Sequence, residues 1–357
     1  MKHTKTLKVR IKDRHRSLLQ QMAWSVNQVW NYVNELSQRS IRERGVFVSA
    51  YDIQAYTNGA GKDLGLHSHT VQEVGREYVT RRQQFKKTRL QWRKSGGVRR
   101  ALGWVPFKSG AVTWKQGQVY HNGHYFKAWD SYGLAQYQFR AGSFSEDARG
   151  RWYLNVVVEV EAEVPAGQEA IGIDLGFKDT ASCSDGTTLE AARFYRDLEP
   201  ALARAQRARK KHRVKAIHAK IANRRKDALH KFSRQLVNRC GMIIIGDVKS
   251  RSFTRNRKSA KTVYDTGWAM LKQFLSYKSA GAGIVFQAVN EAYTTQTCSC
   301  CGTIPASSPK GRAGLGIREW TCDDCGAFHQ RDVNAARNIL ALGHERLAGG
   351  ITVPSGR

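Results

Sequence analysis

Four cysteines near the C-terminal end of the chain have the spacing of a metal site. They form two Cys-x2-Cys pairs with 20 residues between them, and a glycine follows the second cysteine of each pair. This spacing is typical of a structural zinc site, in which four thiolates complete a tetrahedron and leave no position open for a substrate. The alternative is a group of buried, reduced cysteines. The predicted ligands are Cys298, Cys301, Cys322 and Cys325, and Cys300 between them is interpreted as a bystander.

Two aspartates lie where acidic residues can serve catalysis. Asp174 ends an apolar segment typical of a strand, where an isolated buried carboxylate is costly unless it binds a metal or faces a cleft. Asp332 lies just beyond the cysteines and opens a helical segment. If the two acids converge, they can hold Mg²⁺ ions, and two metals can activate a water and stabilise the leaving oxygen at a phosphodiester. Taken alone, Asp332 is equally well explained as a helix cap.

The elements that must position these residues fall into three regions. Residues 5–11 alternate basic and apolar side chains and predict a half-exposed strand, and apolar residues at helical spacing predict an amphipathic helix from 16 to about 38. A second helical pattern covers about 68–93. From about 101 to 163, aromatic residues and turn signals predict strands of a small β-barrel, which the first strand joins. A linker follows at 165–167.

The third region predicts an α/β domain. A strand at 170–176 and a hairpin through 189 come first, followed by a long basic helix at about 197–238. The order then continues as strand, helix, strand and closing helix, at 242–245, 262–280, 284–289 and from about 331 onward. This order fits a ribonuclease-H-like fold that the cysteine element at 298–325 interrupts. A frayed tail is expected after about residue 346.

The charge balance predicts a polyanionic partner, with nucleic acid as the interpretation. The 357 residues include 59 Lys and Arg against 29 Asp and Glu, a net charge of +30 that opposes a compact state unless a polyanion neutralises it. The alternative for the basic helical segments is a solvated helix face. An aromatic content of 10% argues against a disordered basic protein. The candidate nucleic-acid contacts are Arg81, Arg82, Lys86 and Lys87 in one segment and Arg204, Arg207, Lys210, Lys211, Arg224 and Arg225 in another.

The sequence carries no signal for a membrane or for secretion. No apolar run approaches the roughly 20 residues that span a bilayer, and the N-terminus lacks the apolar stretch of a signal peptide. Seven cysteines, four of them assigned to zinc, suit a reducing compartment. We therefore expect a cytoplasmic, nucleoid-associated bacterial or archaeal protein, a monomer with no membrane partner.

Four stretches of the chain match a known family, namely Gly172-Ile173-Asp174-Leu175-Gly176, Asn290-Glu291-Ala292-Tyr293-Thr294-Thr295-Gln296-Thr297-Cys298, Arg318-Glu319-Trp320-Thr321-Cys322 and Arg331-Asp332-Val333-Asn334-Ala335-Ala336-Arg337-Asn338-Ile339. With these stretches the chain resembles the transposon-encoded TnpB (OrfB) proteins, compact RNA-guided DNA nucleases related to the type V CRISPR effectors. The resemblance covers nearly the whole chain and is densest after about residue 165.

The resemblance implies a multi-domain α+β architecture, in which a wedge β-barrel with an inserted helical recognition lobe precedes a RuvC-like nuclease domain with an inserted zinc ribbon. The implied partners are a transposon-derived guide RNA and a target DNA with a short flanking motif. The implied cofactors are structural Zn²⁺ and two catalytic Mg²⁺ ions. The implied boundaries are 1–15 and 101–164 for the barrel, 16–100 for the lobe, 165–297 and 326–345 for the nuclease domain, 298–325 for the ribbon and 346–357 for a flexible tail.

One departure from the family concerns its three catalytic acids. The middle glutamate of the family closes the strand that ends here with Gly246, which has no side chain to bind a metal. Asp247 is adjacent, but successive strand residues point to opposite faces. Glu291 closes the next strand, which in this fold lies about 4.8 Å from the first. We therefore expect a relocated ligand set of Asp174, Glu291 and Asp332, while Glu291 taken alone also fits a surface turn.

Two functional hypotheses follow from the resemblance. The first is an RNA-guided, Mg²⁺-dependent DNA endonuclease of a mobile element, which the presence of Asp174 and Asp332 supports. The second is a cleavage-dead RNA-guided DNA-binding protein that blocks transcription, which Gly246 supports. A guide-independent basic zinc protein leaves the acids unexplained. A second departure, Gln330 where the family usually has an aspartate, carries little weight.

Overall fold

The computed structural model describes residues 2–161, 167–248, 257–311 and 313–348. These residues form two compact units, of which the N-terminal unit covers Lys2–Glu161 and the C-terminal unit begins at residue 162. Each unit has its own hydrophobic core. Within the described ranges, every helix is too short or too polar to cross a membrane. Most of the predicted linker and of the predicted tail lies outside these ranges.

The N-terminal unit contains two antiparallel sheets and four helices. Its helices are α1 (Arg16–Arg44), α2 (Ala50–Tyr56), α3 (Ala60–Asp63) and α4 (Ser68–Gln84). Its strands are β1 (Lys2–Ile11), β2 (Trp104–Phe107), β3 (Val112–Lys115), β4 (Gln118–His121), β5 (His124–Phe126), β6 (Ala128–Trp129), β7 (Phe139–Glu146) and β8 (Trp152–Glu161).

The larger sheet of this unit has the order β2-β7-β8-β1-β6, and the smaller sheet has the order β3-β4-β5. Strand β1 is antiparallel to β8 along nearly its whole length. Alternate residues of β1 are buried, namely Leu7, Val9 and Ile11, so the period of two places Lys8 and Arg10 on the other face. The prediction that the N-terminal strand joins the strands of the 101–163 region is therefore confirmed.

Helix α4 ends at Gln84, and the prediction of a helix to about 93 was wrong. Lys86 has a φ of 50°, which a helix cannot contain. The following segment bonds to α1 instead, because the side chain of Asn34 donates to the carbonyl oxygen of Leu90 at 2.9 Å and that of Asn31 accepts from the main-chain N–H of Arg93 at 2.8 Å. Side-chain partners on a neighbouring helix thus replace the helical hydrogen bonds of these residues.

The C-terminal unit is built on a five-stranded sheet with the order β11-β10-β9-β12-β13. Its strands are β9 (Glu169–Asp174), β10 (Asp179–Cys183), β11 (Thr188–Glu190), β12 (Cys240–Gly246), β13 (Val285–Val289), β14 (Glu319–Thr321) and β15 (Phe328–Gln330). Its helices are α5 (Glu199–Arg207), α6 (Lys211–Arg239), α7 (Arg257–Thr266), α8 (Trp268–Ala282) and α9 (Arg331–Ala348). The predicted order of strands and helices is confirmed.

Two helices that the sequence analysis treated as continuous are each broken. The basic segment predicted at 197–238 divides into α5 and α6, and Arg209 between them has a φ of 52°. The segment predicted at 262–280 begins earlier, at Arg257, and divides into α7 and α8 at Gly267, whose φ is 66°. Left-handed backbone of this kind ends a helix without any change in the hydrophobic pattern, so periodicity alone did not reveal the breaks.

Helix α9 packs closely on the central strands β9 and β12. A Cβ atom at Gly172 in β9 would collide with the carbonyl oxygen of Ala336 in α9, and one at Gly343 in α9 would lie 2.5 Å from Cγ1 of Ile244 in β12. Glycine at these two positions therefore permits the close approach of helix and sheet. These contacts hold α9 against the sheet from Ala336 to Gly343, and Asp332 lies about one turn before them in the same helix.

Candidate active site and metal centre

Acidic residues gather at one edge of the C-terminal sheet. Strands β9, β12 and β13 are parallel, so their carboxyl ends meet at the same edge. Asp174 is the last residue of β9, and Gly246, the last residue of β12, pairs with Val289, the last residue of β13. Glu291 follows Val289 by two residues. The predicted adjacency of the strands ending at Gly246 and Val289 is confirmed.

The acids of this edge influence one another electrostatically. Burial raises the pKa of Asp174, and the negative charges of Asp332 and Glu291 add to this effect. Together they bring the pKa of Asp174 to about 7. Burial also raises the pKa of Glu291, with a contribution from Asp247. The carboxylate oxygens of the three predicted ligands do not all lie within 4.8 Å of one another.

Glu291 occupies the space above Gly246. An ideal Cβ atom at Gly246 would lie 2.5 Å from Oε2 of Glu291 and 3.2 Å from Cδ1 of Ile339. Oε2 of Glu291 is buried and has no hydrogen-bond partner among the described residues. A buried carboxylate oxygen without a partner is costly, and a cation is the partner that suits it. The donor set therefore fits a hard divalent metal.

Two basic residues pair with acids at this edge. Asp247 accepts a hydrogen bond from Nζ of Lys272 at 2.6 Å. Its carboxylate is therefore paired with a lysine. Asp332 forms an ion pair with Arg318, whose Nη1 lies 3.2 Å from Oδ2. The sequence analysis did not identify Arg318, because an ion pair between a residue before β14 and one in α9 has no local sequence pattern.

The four predicted cysteine ligands lie together. Their sulfur atoms form a group within 4.8 Å of one another, and the Sγ–Sγ distances are 3.7 Å for Cys298–Cys325 and 3.8 Å for Cys301–Cys322. A tetrahedron with metal–sulfur bonds of about 2.3 Å has edges of about 3.8 Å. The cluster could therefore hold zinc with little movement. Cys300 is exposed, as expected of a bystander.

A histidine that the sequence analysis missed lies against the cysteines. Nε2 of His329 is 3.0 Å from Sγ of Cys298, and the imidazole packs on the buried ring of Trp320 with 4.7 Å between ring centroids. An N–H donated to a thiolate fixes the orientation of that ligand. Trp320 and His329 are opposite each other in the β14–β15 pair, a register that would have located the histidine once the hairpin was recognised.

Helix α9 connects the cysteine element to the acidic edge. Asn334 is fully buried, and its Oδ1 accepts from the main-chain N–H of Ser299 at 2.8 Å while its Nδ2 donates to the carbonyl oxygen of Thr297 at 2.7 Å. Asn338, one turn later, donates to the carbonyl oxygens of Thr294 and Thr297. The loop between Glu291 and the first cysteine is thereby attached to the helix that carries Asp332.

Most of the predicted nucleic-acid contacts are exposed, with two departures. Arg82 is only 4% exposed, because it lies one turn after the buried Tyr78 on the inner face of α4, where it donates to Oγ of Ser37 and the carbonyl oxygen of Val48. Arg225 is half-buried against Gly267. The exposed members are Arg81, Lys86, Lys87, Arg204, Arg207, Lys210, Lys211 and Arg224.

Two family models match the chain. The OrfB_IS605 family, described as "Probable transposase", matches residues 153–257, and the family described as "Cas12f1-like, TNB domain" matches residues 268–339. The second match contains Glu291, the four cysteines and Asp332. The predicted resemblance to TnpB (OrfB) proteins is therefore confirmed in the part of the chain that carries the candidate site.

Several proteins share this similarity. A Streptomyces pristinaespiralis protein named "Putative RNA-guided DNA endonuclease" is 38% identical over 56% of this chain and 52% of its own length. The Escherichia coli (strain K12) protein named "Putative RNA-guided DNA endonuclease InsQ" is 31% identical over 58% of each chain. The chain thus spans little more than half the length of these relatives.

The fold as a whole also has a solved counterpart. The cryo-EM structure of a Cas12f1–sgRNA–target DNA complex matches with a TM-score of 0.61 over 95% of this chain and 99% of that chain, at 13% sequence identity. At this identity the match establishes the fold alone. It agrees with the mixed α/β architecture of several sheets described above.

Proposed function

We propose that this chain, which is related to the TnpB (OrfB) family of RNA-guided nucleases, is itself an RNA-guided DNA endonuclease of a mobile element. The observation that carries the proposal is the position of Glu291. Its buried, unpartnered Oε2 lies over Gly246 and beside Asp174, where a third acidic ligand is needed. A chain that had lost its nuclease function would have no reason to retain this costly group.

The proposed metal ligands are Asp174, Glu291 and Asp332. Bound Mg²⁺ would supply an activated water and charge stabilisation for the leaving oxygen of a phosphodiester. Asp174 provides a carboxylate at the end of β9 and Glu291 provides one just beyond the end of β13, the two strands that flank β12, and Asp332 approaches from the first turn of α9. Arg318 balances the charge of Asp332, and a guanidinium at that position also suits a phosphate oxygen of the substrate.

We further propose a structural role for zinc at Cys298, Cys301, Cys322 and Cys325. Four thiolates leave no open position, so this ion would hold the loop around it rather than take part in cleavage. His329 would orient one thiolate. Because Asn334 and Asn338 attach the same loop to α9, the zinc ribbon would determine where Asp332 stands.

The proposed partners are a guide RNA and a target DNA. The region of α5 and α6 between Pro200 and Lys226 has eleven Lys and Arg and no acidic residue, which suits the backbone of a nucleic-acid duplex. Guide pairing would read the target, and the N-terminal unit would read a short flanking motif. The proposed boundaries are those that the resemblance implies, with a wedge barrel at 1–15 and 101–164 and a recognition lobe at 16–100.

The test is DNA cleavage by the protein purified with the RNA that it carries. The target is a duplex complementary to that RNA, and the reaction contains Mg²⁺. We expect wild type to cut, and we expect Glu291→Ala and Asp174→Ala to bind the target without cutting it. Glu345→Ala, which changes an exposed glutamate of α9, is the matched control and should cut like wild type.

The second candidate function is that of a guided blocker of transcription, which the glycine at 246 favours. It predicts that wild type binds its target tightly in Mg²⁺ and never cuts. Cleavage that persists in Glu291→Ala would instead support the nuclease function and show that Glu291 is not one of its metal ligands. The three outcomes therefore distinguish the two functions and the role of the glutamate.

A further inference from the structure

An exposed tyrosine with unusual backbone lies beside the candidate active site. Tyr293 follows Glu291 by two residues, and 65% of its surface is exposed. Its φ is 65°, in the left-handed region. Glycine and asparagine adopt this region readily, whereas a bulky side chain there is an outlier. The backbone therefore favours a different residue at this position.

The left-handed conformation is imposed by the surrounding hydrogen bonds. The carbonyl oxygen of Tyr293 accepts from the main-chain N–H groups of Gln296 and Thr297 at 2.8 and 2.9 Å, and from Oγ1 of Thr297 at 3.1 Å. On the other side, Thr294 donates twice to the carbonyl oxygen of Glu291. The turn is thus held to the catalytic acid at one end and, through Asn334 and Asn338, to α9 at the other.

Packing does not explain the tyrosine either. In the part of the chain that the structure describes, its ring takes part in none of the aromatic or hydrogen-bonded contacts. The main chain at Tyr293 is nevertheless fixed on both sides by these hydrogen bonds. A strained and exposed residue on an anchored main chain, two residues from a candidate catalytic acid, indicates a ligand contact.

We infer that Tyr293 stacks on a nucleobase of the DNA strand whose phosphate is held by Asp174, Glu291 and Asp332, an inference that rests on the proposed function. An aromatic face stacks on any of the four bases. A base that is unstacked from its neighbour beside the reacting phosphate loses stacking energy, and an aromatic ring at that point compensates for part of the loss. The ring would therefore hold the substrate in register with the acids.

Three variants separate the ring from the backbone. Tyr293→Phe keeps the stacking face. Tyr293→Asn and Tyr293→Gly remove the ring and suit the left-handed backbone better, so both should melt at or above the wild-type temperature. We expect single-turnover cleavage at saturating DNA to fall by roughly 5- to 150-fold in the Asn and Gly variants, the loss typical of one base–aromatic stack. The Phe variant should stay within about twofold of wild type by the same argument.

A second readout does not require cleavage. The probe is a single-stranded DNA complementary to the guide, with 2-aminopurine placed in turn at each position around the cut site, bound in Ca²⁺. We expect the fluorescence of one position to be quenched in wild type and Tyr293→Phe and restored in Tyr293→Asn and Tyr293→Gly. This readout stands even if wild type never cuts, so failure of the nuclease proposal and failure of the stacking inference are distinguishable.

Three results would overturn the inference. The first is cleavage at the wild-type rate by the thermally stable Asn and Gly variants. The second is quenching at the same position whether or not the ring is present. The third is loss of cleavage in Tyr293→Phe, because it would assign the role to the hydroxyl group.

Discussion

At the scale of single residues, the candidate site depends on one shared volume. The Glu291 carboxylate lies where a side chain at 246 would begin, with 2.5 Å between Oε2 and the ideal Cβ position. Only glycine at 246 leaves that volume free. Under the proposed function, the glycine at 246 and the glutamate at 291 form a single arrangement, in which position 291 would supply the ligand and position 246 would supply the space for it.

This arrangement predicts that Gly246→Ala impairs cleavage. The new methyl group would displace the Glu291 carboxylate, and we expect the cleavage rate to fall at least about 10-fold, as it does when the surroundings of a metal ligand are disturbed. Thermal stability should change little, because the two atoms nearest to the methyl group, Oε2 of Glu291 and Cδ1 of Ile339, are ends of side chains. Single-turnover cleavage and thermal melting of the same preparation provide the measurement.

The control is Gly241→Ala in the same strand, where the nearest atoms to a new Cβ are at an ordinary contact distance of 3.4 Å. It should cut like wild type.

Combining Gly246→Glu with Glu291→Gly should restore part of the activity that each single change removes. Full activity in Gly246→Ala would contradict the shared volume.

Some residues of the site could be predicted from the sequence and others could not. Asp174 follows an apolar strand and Asp332 opens a helix beside the cysteines, so local pattern was sufficient for both. Glu291 needed the strand order as well. Arg318 and His329 were missed, because each contacts its partner across a loop or a strand pair, and the sequence of one segment does not report the register of another.

At the scale of secondary-structure elements, α9 connects the acidic edge of the sheet to the cysteine cluster. Its N-terminal turn carries Asp332, its buried Asn334 binds the main chain of the cysteine loop, and its small residues lie against β9. The order of these elements followed from the sequence. The breaks in the long helices did not, because left-handed residues such as Arg209 interrupt a helix without altering its hydrophobic period.

We predict that Asn334→Ala weakens both folding and metal retention. The change leaves the main-chain N–H of Ser299 without its partner and removes one of the two side-chain hydrogen bonds to the carbonyl oxygen of Thr297, to which Asn338 still donates. The free energy of unfolding should therefore fall by about 1–3 kcal/mol. The cysteine loop loses its attachment, so zinc should also pass to a chelator faster. Urea denaturation and the rate of zinc transfer to a colorimetric chelator measure the two effects.

The matched control is Asn223→Ala, which changes an exposed asparagine of α6 in the same unit and should leave both quantities unchanged. An Asn334→Ala protein with wild-type stability and zinc retention would show that the loop is held by other contacts. A protein that loses stability but keeps its zinc would separate the fold of α9 from the cysteine cluster.

At the scale of the whole molecule, the charge sets the conditions for binding. A net charge of +30 is distributed over both units, and the long basic helix α6 has few acids to neutralise it. Lys231 is an exception, because its Nζ lies 2.8 Å from Asp227. Unpaired lysines on this helix are therefore the ones that phosphate groups would neutralise.

This charge predicts how RNA affinity depends on salt. Removing Lys210 and Lys211 together should reduce the slope of log K against log salt concentration by about 1.4 to 1.8, because each phosphate contact contributes about 0.7 to 0.9. Lys231→Ala should leave the slope nearly unchanged. The measurement is a titration of the purified protein with its copurified RNA at several salt concentrations, and equal slopes for all three proteins would exclude α6 from the RNA-binding surface.

The volume shared by positions 246 and 291 also constrains the history of such a site. A lineage with glutamate at 246 cannot accept the Glu291 carboxylate in its present place, and one with Glu291 cannot regain a side chain at 246 without losing it. A chain that changes from one arrangement to the other passes through an intermediate in which the side chains at 246 and 291 collide or one acidic ligand is missing. The order in which the two mutations occur therefore matters, and reversal is disfavoured. If Glu291 is the metal ligand that we propose, surveys that judge catalytic competence from the strand-end position alone would discard such chains as decayed copies, whereas scoring the two positions as a pair would recover them.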